Sequence, residues 1–119
     1  MSGSVYIIGM EKNSSNMPET EPLSDTVRLH TVISGFVQGV GFRAYVQAIA
    51  TGMNLTGWVR NTGNGDVEVV VEGPQSELVH LLRQLYHGPR TARVIHIEEI
   101  WETATTEFHF FSIHPTEYN

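Results

Sequence analysis

The middle of the chain contains the segment Gly57-Trp-Val-Arg-Asn-Thr-Gly-Asn-Gly-Asp-Val-Glu-Val-Val-Val-Glu72. The other predicted elements are arranged on either side of it. Apolar residues recur at every second position over residues 66–72, which is the period of a strand with one buried face. Residues 57–61 are a second strand-like run, and the turn Thr62-Gly-Asn-Gly65 separates the two. A short turn rich in glycine and asparagine joins antiparallel neighbours, so the segment predicts a β-hairpin.

Helical patterns flank this hairpin on both sides. Before it, bulky apolar residues recur at spacings of three or four, namely Phe42, Tyr45 or Val46, Ile49 and Met53. After it, Gly73 and Pro74 open a second helix, because proline is tolerated where a helix starts. The apolar stripe of that second helix is Leu78, Leu81 or Leu82, and Leu85.

Three further strands are predicted towards the two ends of the chain. Residues 27–33 alternate, and their inward face is Val27, Leu29, Thr31 and Ile33. A fourth strand is predicted over residues 92–101. The sequence does not decide which face of this strand is buried, because two pairs compete for the core, Val94/His96 and Ile95/Ile97. A β-bulge within the strand is a further alternative. Residues 108–113 predict a short fifth strand at an edge of the sheet.

This order of elements is typical of an α+β fold. We predict a ferredoxin-like βαββαβ sandwich, with a mostly antiparallel sheet, two helices on one face and a short extra C-terminal strand. The domain is expected to span residues 26–115. Residues 11–25 are polar, carry two prolines and show no periodicity, so we expect residues 1–25 to be a flexible N-terminal tail. Residues 116–119 are expected to be a C-terminal tail.

The amino-acid composition and net charge exclude several classes of function. The chain has 119 residues, 40% of them hydrophobic, which suits one domain with a core. It has no cysteine, so disulfides, thiolate metal sites and a cysteine nucleophile are excluded. The formal net charge is −6, and residues 26–119 carry six arginines against nine acids. A nucleic-acid partner is not expected, because the chain lacks a broad basic surface.

The sequence also gives expectations about membranes, cellular location and metal binding. No apolar run approaches the length of a membrane span, and the N-terminus lacks the basic start and long apolar core of a signal peptide. We therefore expect a cytoplasmic protein with no membrane partner. The protein is also expected to be a monomer. The six histidines show no paired ligand spacing with carboxylates, so no metal and no other cofactor is expected.

The glycine-rich passage Gly35-Phe-Val-Gln-Gly-Val-Gly-Phe-Arg43 joins the first strand to the first helix. Glycines let successive backbone N–H groups turn towards one point, and the helix start adds partial positive charge. Arg43 falls in the first helical turn, where its guanidinium can donate two hydrogen bonds to a phosphate. The passage fits an anion site and fits equally well a tight turn that precedes a helix, because glycine before a helix is common. No Lys-Ser or Lys-Thr pair follows the glycines, which excludes a Walker loop.

Asn61 ends the second predicted strand. An asparagine there is most often a turn residue, because it tolerates left-handed backbone and bonds to nearby backbone groups. The alternative is a functional role, since the intervening helix returns the chain so that this strand end and the glycine loop lie in one region. From the residues alone, both roles stay open.

Two motifs of the chain resemble the two signature motifs of the acylphosphatase family. The first is Gly35-x-Val37-Gln38-Gly39-Val40-x-Phe42-Arg43, and the second is Gly57-Trp58-Val59-Arg60-Asn61-x-x-x-Gly65-x-Val67-x-x-x-x-x-Gly73. Both are complete, in order and at a family-like separation, and the resemblance spans about residues 26–115. The βαββαβ order is also that of the family. The N-terminal tail is the main departure, since the family's domains start close to the first strand.

The resemblance implies hydrolysis of acyl phosphates to a carboxylate and inorganic phosphate, without a metal or cofactor. It implies that Arg43 binds the phosphoryl group and that Asn61 holds the attacking water, so these two are the expected catalytic residues. Backbone N–H groups of the loop would cradle the phosphate oxygens. The phosphate-binding set implied in this way is Gln38, Gly39, Val40, Gly41, Phe42 and Arg43.

Two other functions belong to different classes. One is a binding module that holds an acyl or carbamoyl phosphate without turning it over. Similar domains occur at the front of carbamoyl-transferring hydrogenase-maturation proteins, although we expect this chain to be too short for the rest of such an enzyme. Asn61 favours turnover, because a pure binder has no use for a water-positioning amide. The other is an RNA-binding module, which the net charge disfavours. The string Gly39-Val-Gly-Phe-Arg-Ala-Tyr-Val46 faintly resembles an RNA-recognition signature, but that signature belongs on the third strand and the string follows the first.

Overall fold

The structure is a computed structural model and describes residues 25–118. Its elements are β1 (Thr26–Phe36), α1 (Phe42–Gly52), β2 (Thr56–Asn61), β3 (Val67–Pro74), α2 (Gln75–His87), β4 (Arg93–Thr103) and β5 (Phe111–Ile113). The predicted order of elements is confirmed. The expected N-terminal tail lies outside the described residues apart from Asp25, and so does Asn119.

The five strands form one sheet in the order β4-β1-β3-β2-β5. The pairs β1–β3, β1–β4 and β2–β3 are antiparallel, and β5 runs parallel to β2 at the edge. The ferredoxin-like α+β prediction is confirmed. The predicted start of the fifth strand at Phe108 is wrong, because the strand begins at Phe111. The residues before it form a loop, in which the backbone N–H groups of Thr105 and Thr106 bind the carboxylate of Glu72.

The core lies between one face of the sheet and the two helices. The predicted inward face of β1 is buried, and so are the central stripes of both helices: Phe42, Val46 and Ala50 in α1, and Leu78, Leu81 and Leu85 in α2. The Tyr45 hydroxyl ties the helices together, because it donates to the Gln84 carbonyl oxygen at 3.0 Å, and burial raises the pKa of this hydroxyl. Neither helix of the described chain is long and apolar enough to cross a membrane.

A β-bulge resolves the phase of β4. Ser34 pairs with His96 while Gly35 pairs with Val94, so Ile95 is an extra residue on β4. Ile95 is 72% exposed, whereas Ile97 is 4% exposed and Val94 packs against the core. The bulge therefore allows residues of odd and even number in one strand to face the same core.

The face of the sheet opposite the helices carries paired charges. Glu72 is only 2% exposed, and its carboxylate accepts hydrogen bonds from Arg28 Nε at 2.8 Å and from the N–H groups of Thr105 and Thr106 at 2.9 Å each. Burial pushes the pKa of Glu72 upwards, but the Thr105 N–H, the Arg28 guanidinium and the Thr106 N–H outweigh it. The pKa of Glu72 therefore lies below its ordinary value.

Glu68 occupies the corresponding place nearer the hairpin turn. Its carboxylate contacts His30 Nε2 at 2.7 Å and Arg60 Nε at 2.8 Å. Burial raises the pKa of Glu68, and the hydrogen bonds and charges of Arg60 and His30 lower it further than burial raises it. The two carboxylates thus join neighbouring strands across the open face of the sheet.

Candidate active site

One pocket collects most of the residues singled out from the sequence. Its lining is Val37, Gly39, Gly41, Phe42, Arg43, Ala44, Asn61 and Ile113. The cavity measures about 280 Å³, close to the lower end of the range for small-molecule sites. The loop after β1, the start of α1 and the end of β2 therefore meet in one place.

Two glycines shape the loop that forms one wall of the pocket. Gly39 and Gly41 have φ angles of 77° and 82°, in the left-handed region that favours glycine. A Cβ at either residue would meet nothing within 4 Å, so the surface above the loop is open. Within residues 25–118, no backbone N–H from Gly39 to Arg43 donates a hydrogen bond. These donors are available to an anion.

The start of α1 adds positive charge to the same wall. Gly41 provides no side-chain cap, and the first turn of α1 carries no acidic residue. The partial positive charge of the helix start is therefore uncompensated from within the helix. Arg43 is half-buried in that turn, and no acid of the described chain forms an ion pair with it. The wall suits a dianion such as a phosphoryl group.

Asn61 reaches the pocket because of the strand period. Residues two apart in a strand share a face, so Asn61 lies on the same face of β2 as the buried Val59. Asn61 is 9% exposed, and its side chain makes no hydrogen bond to any residue in the described part of the chain. Its amide is thus held at the pocket, and no residue from 25 to 118 occupies its donor or its acceptor.

Two residues of the predicted phosphate-binding set lie outside the lining. The Gln38 side-chain amide instead donates to the carbonyl oxygens of Thr62 at 2.9 Å and Asp66 at 2.8 Å, which joins the loop to the hairpin turn. The carbonyl oxygen of Val40 accepts from the Thr91 hydroxyl at 2.8 Å. It stays a prediction that the backbone N–H groups of Gln38 and Val40 bind phosphate.

The sequence did not point to Ile113, Ala44 or Thr91 as parts of the site. Ile113 reaches the pocket because β5 lies beside β2, and no pattern in the chain specifies which edge the last strand joins. Ala44 follows Arg43 in the helix, so its place beside the pocket could have been inferred from the position of Arg43. Thr91 supports the loop from the α2–β4 connection, a contact between distant segments that carries no local signal.

The pocket offers charge and hydrogen bonds but no strong base. Among the described residues that line it, none is a carboxylate or a histidine. Across residues 25–118, no group of three His, Asp or Glu side chains is placed to hold a metal ion. What the pocket presents is a row of N–H donors, one guanidinium and one neutral amide.

A model of the acylphosphatase family matches residues 29–113, which is most of the chain and includes both pocket walls. This chain belongs to the acylphosphatase family. The resemblance seen in the two sequence motifs is thereby confirmed. Acylphosphatases hydrolyse acyl phosphates, so the chain is an enzyme whose substrate is an acyl phosphate and whose product is inorganic phosphate.

Curated acylphosphatases are similar to this chain over nearly their full length. The acylphosphatase of Moorella thermoacetica is 45% identical over 84 residues, which cover 71% of this chain and 90% of that protein. The acylphosphatase of Chloroflexus aurantiacus is 44% identical over 89 residues, covering 75% of this chain and 97% of that protein.

Solved structures share the acylphosphatase fold of this chain. The crystal structure of acylphosphatase from Bacillus subtilis is 34% identical with a TM-score of 0.72, covering 74% of this chain and 98% of that one. A crystal structure of full-length HypF in a phosphate- and nucleotide-bound form is 28% identical with a TM-score of 0.73. That match covers 81% of this chain and 13% of HypF.

Proposed function

We propose that this acylphosphatase works without a metal, with the phosphoryl group held by Arg43 and the loop N–H groups and the attacking water held by Asn61. The observation that carries the proposal is the shared pocket, in which the Arg43 guanidinium, the loop N–H groups and the Asn61 amide face one cavity and have no partner among residues 25–118. Family membership supports the reaction, and the chemistry of the pocket supports these roles.

The leaving group explains why no acid is needed. Water attacks phosphorus, the bond from phosphorus to the acyl oxygen breaks, and that oxygen leaves with the electron pair as a carboxylate. The conjugate acid of a carboxylate has a pKa of about 4, so the leaving oxygen needs no proton. The proton lost by the attacking water passes to solvent or to the phosphate formed.

The entering water needs placement more than activation. Phosphoryl transfer passes through a loose transition state, with little bonding to the nucleophile and negative charge on the peripheral oxygens. Arg43 and the N–H groups of the loop stabilise those oxygens. The Asn61 amide accepts from and donates to water, which fixes its oxygen opposite the leaving group.

Hydrolysis of acetyl phosphate by the full chain, with EDTA present, tests the proposal. Asn61→Ala is expected to lower kcat by about 10²–10³-fold, because it removes a group that acts on the water. Inhibition by inorganic phosphate should keep its strength, because the phosphate ligands remain. Asn64→Ala is the matched control, since it removes an exposed amide from the turn of the same hairpin.

Each outcome has a separate meaning. Activity that disappears with EDTA and returns with a divalent cation would contradict the metal-free part of the proposal. Near-normal turnover by Asn61→Ala would contradict the role of the amide. Metal independence, the monomeric state and the cytoplasmic location stay predictions, as do the domain limits at residues 26 and 115.

The alternative of a binding module that holds an acyl or carbamoyl phosphate without hydrolysing it does not hold, because the family match and the curated relatives make this chain an acylphosphatase enzyme.

A further inference from the structure

The chain continues beside β2 after β5 ends. The N–H of His114 donates to the Val59 carbonyl oxygen at 2.9 Å, and the N–H of Glu117 donates to the Asn61 carbonyl oxygen at 3.0 Å. Thr62 also forms a parallel bridge with Glu117. We call residues 114–118 the C-terminal clamp. It reaches the residue whose side chain faces the pocket.

The clamp is not a regular continuation of the strand. The two carbonyl acceptors on β2, Val59 and Asn61, are two residues apart, whereas the two N–H donors, His114 and Glu117, are three residues apart. The clamp therefore contains one extra residue relative to β2. Pro115 lies within this interval and has no N–H to donate. Backbone groups of alternate residues face the same neighbouring strand, so the Asn61 carbonyl points towards the clamp and away from β3. Glu117 therefore supplies the donor that this carbonyl needs.

Two further contacts hold the clamp against the hairpin. Arg60 Nη1 lies 3.3 Å from the Glu117 carboxylate, an exposed ion pair that contributes little by itself. Gly63 lies so close to Tyr118 that an added Cβ would stand 3.1 Å from the Tyr118 carbonyl oxygen. The clamp thus contacts the residues on both sides of Asn61 as well as Asn61 itself.

We propose that Glu117, through its backbone N–H, is a positioning residue for Asn61. The peptide group that Glu117 holds is the one that follows the Asn61 Cα, so fixing its oxygen fixes the backbone from which the amide projects. The proposal rests on the proposed function, in which that amide places the water. The family match ends at Ile113, so the contact lies beyond the matched part of the chain.

Glu117→Pro in the full chain removes the N–H, and Glu117→Gln keeps the N–H while removing the charge paired with Arg60. With acetyl phosphate as substrate, Glu117→Pro is expected to lower kcat roughly tenfold, because a small displacement of a positioned group is costly. Inhibition by inorganic phosphate should stay within about twofold of wild type, since the phosphate wall is separate from the clamp. Glu117→Gln is expected to match wild type in both measurements.

A double-mutant cycle separates positioning from general damage. In the Asn61→Ala background, Glu117→Pro should cause no further fall in kcat, because residues that act as one unit are not additive. A further tenfold fall there would overturn the proposal, and so would wild-type kcat in Glu117→Pro alone. If Asn61→Ala itself has normal kcat, the proposed function fails first, which distinguishes the two failures.

A second variant covers the case in which Glu117→Pro does not fold, as judged by thermal unfolding. A chain that ends at Thr116 also lacks the donor and imposes no proline geometry. It is expected to show the same fall in kcat with phosphate inhibition preserved. Full activity in this shortened chain would overturn the proposal.

Discussion

Among residues 25–118, Arg43 is the only charged side chain that lines the pocket, and this isolation bears on its function. A guanidinium that already paired with a carboxylate would have to give up that partner to bind phosphate. None of the acids among residues 25–118 pairs with Arg43, so its donors are free when a phosphoryl group arrives. Its planar fork also matches two oxygens of one phosphate.

Removing that fork should therefore reduce activity severely. Arg43→Ala is expected to lower kcat/KM about 10³-fold, the scale seen for arginines that stabilise phosphoryl transfer. Arg43→Lys should remain at least about tenfold below wild type, because an ammonium cannot make the paired hydrogen bonds. Steady-state hydrolysis of acetyl phosphate measures both. Arg83→Ala, at an exposed position on α2, is the control that should leave activity unchanged.

At the residue scale, the sequence located the pocket through its unusual residues. Glycines in left-handed backbone, an arginine in a helical turn and an asparagine at a strand end each have a chemical signature. The partner of the Gln38 side chain could not be predicted from the sequence. A glutamine can serve a ligand or the protein, and only the contact with Thr62 and Asp66 shows that its side chain serves the protein.

At the scale of elements, the Gln38 side chain joins the glycine loop to the β2–β3 hairpin. The two elements carry opposite halves of the proposed chemistry, since the loop would hold phosphate and the hairpin carries Asn61. The Gln38 amide spans them with two short hydrogen bonds from one nitrogen. The relative position of phosphate and water would therefore depend on a residue that touches neither.

Gln38→Leu keeps the side-chain size and removes both hydrogen bonds. We expect a loss of about 1–3 kcal/mol in the free energy of unfolding and roughly a tenfold fall in kcat/KM. Urea unfolding and acetyl phosphate hydrolysis measure the two effects. Gln47→Leu is the control, because within the described part of the chain the Gln47 side chain makes one long hydrogen bond, 3.4 Å to the Phe111 carbonyl oxygen. Equal effects in the two variants would count against a specific role for Gln38.

Element order was predictable because alternation and helical spacing are local patterns. The pairing of β5 with β2 was not predictable, because it joins distant segments through backbone groups that every residue has. The bulge in β4 was predictable only in part. The conflict between Val94 and Ile95 could be read from the chain, and the register opposite Ser34 and Gly35 resolved it.

At the scale of the whole molecule, the buried carboxylate of Glu72 joins β3, β1 and the loop before β5. Its lowered pKa means that folding favours the ionised form. The stabilisation is complete above the pKa of the unfolded chain, about 4.3 for glutamate, and is lost as the pH falls through the lower pKa of the folded state. Glu68 has a pKa lowered in the same direction, so its contribution adds to the loss in acid.

Glu72→Gln should destabilise the protein at neutral pH and reduce its sensitivity to acid. We expect a loss of about 2 kcal/mol at pH 7, because Arg28, the two N–H groups and the Thr105 hydroxyl all donate to a charged acceptor and are weakened together. The difference between variant and wild type should shrink as the pH is lowered below about 4. Urea unfolding across this pH range measures both quantities.

Glu107→Gln is the matched control for Glu72→Gln. Glu107 also approaches Arg28, at 3.3 Å, but its side chain is mainly exposed, so water screens the pair. The free energy of unfolding of Glu107→Gln should stay within about 0.5 kcal/mol of wild type at every pH. A gap between Glu72→Gln and wild type that stays constant into acid would show that the carboxylate charge is not the cause.

The bulge in β4 has a consequence for how copies of the chain meet. An outermost strand presents free backbone groups that can recruit a strand from another molecule, which is the first step of fibril growth. Ile95 interrupts the even spacing of those groups, and the exposed Glu98 and Glu102 repel an identical incoming strand. The opposite border, β5, is only three residues long. Both borders of the sheet are therefore poor templates for pairing between molecules.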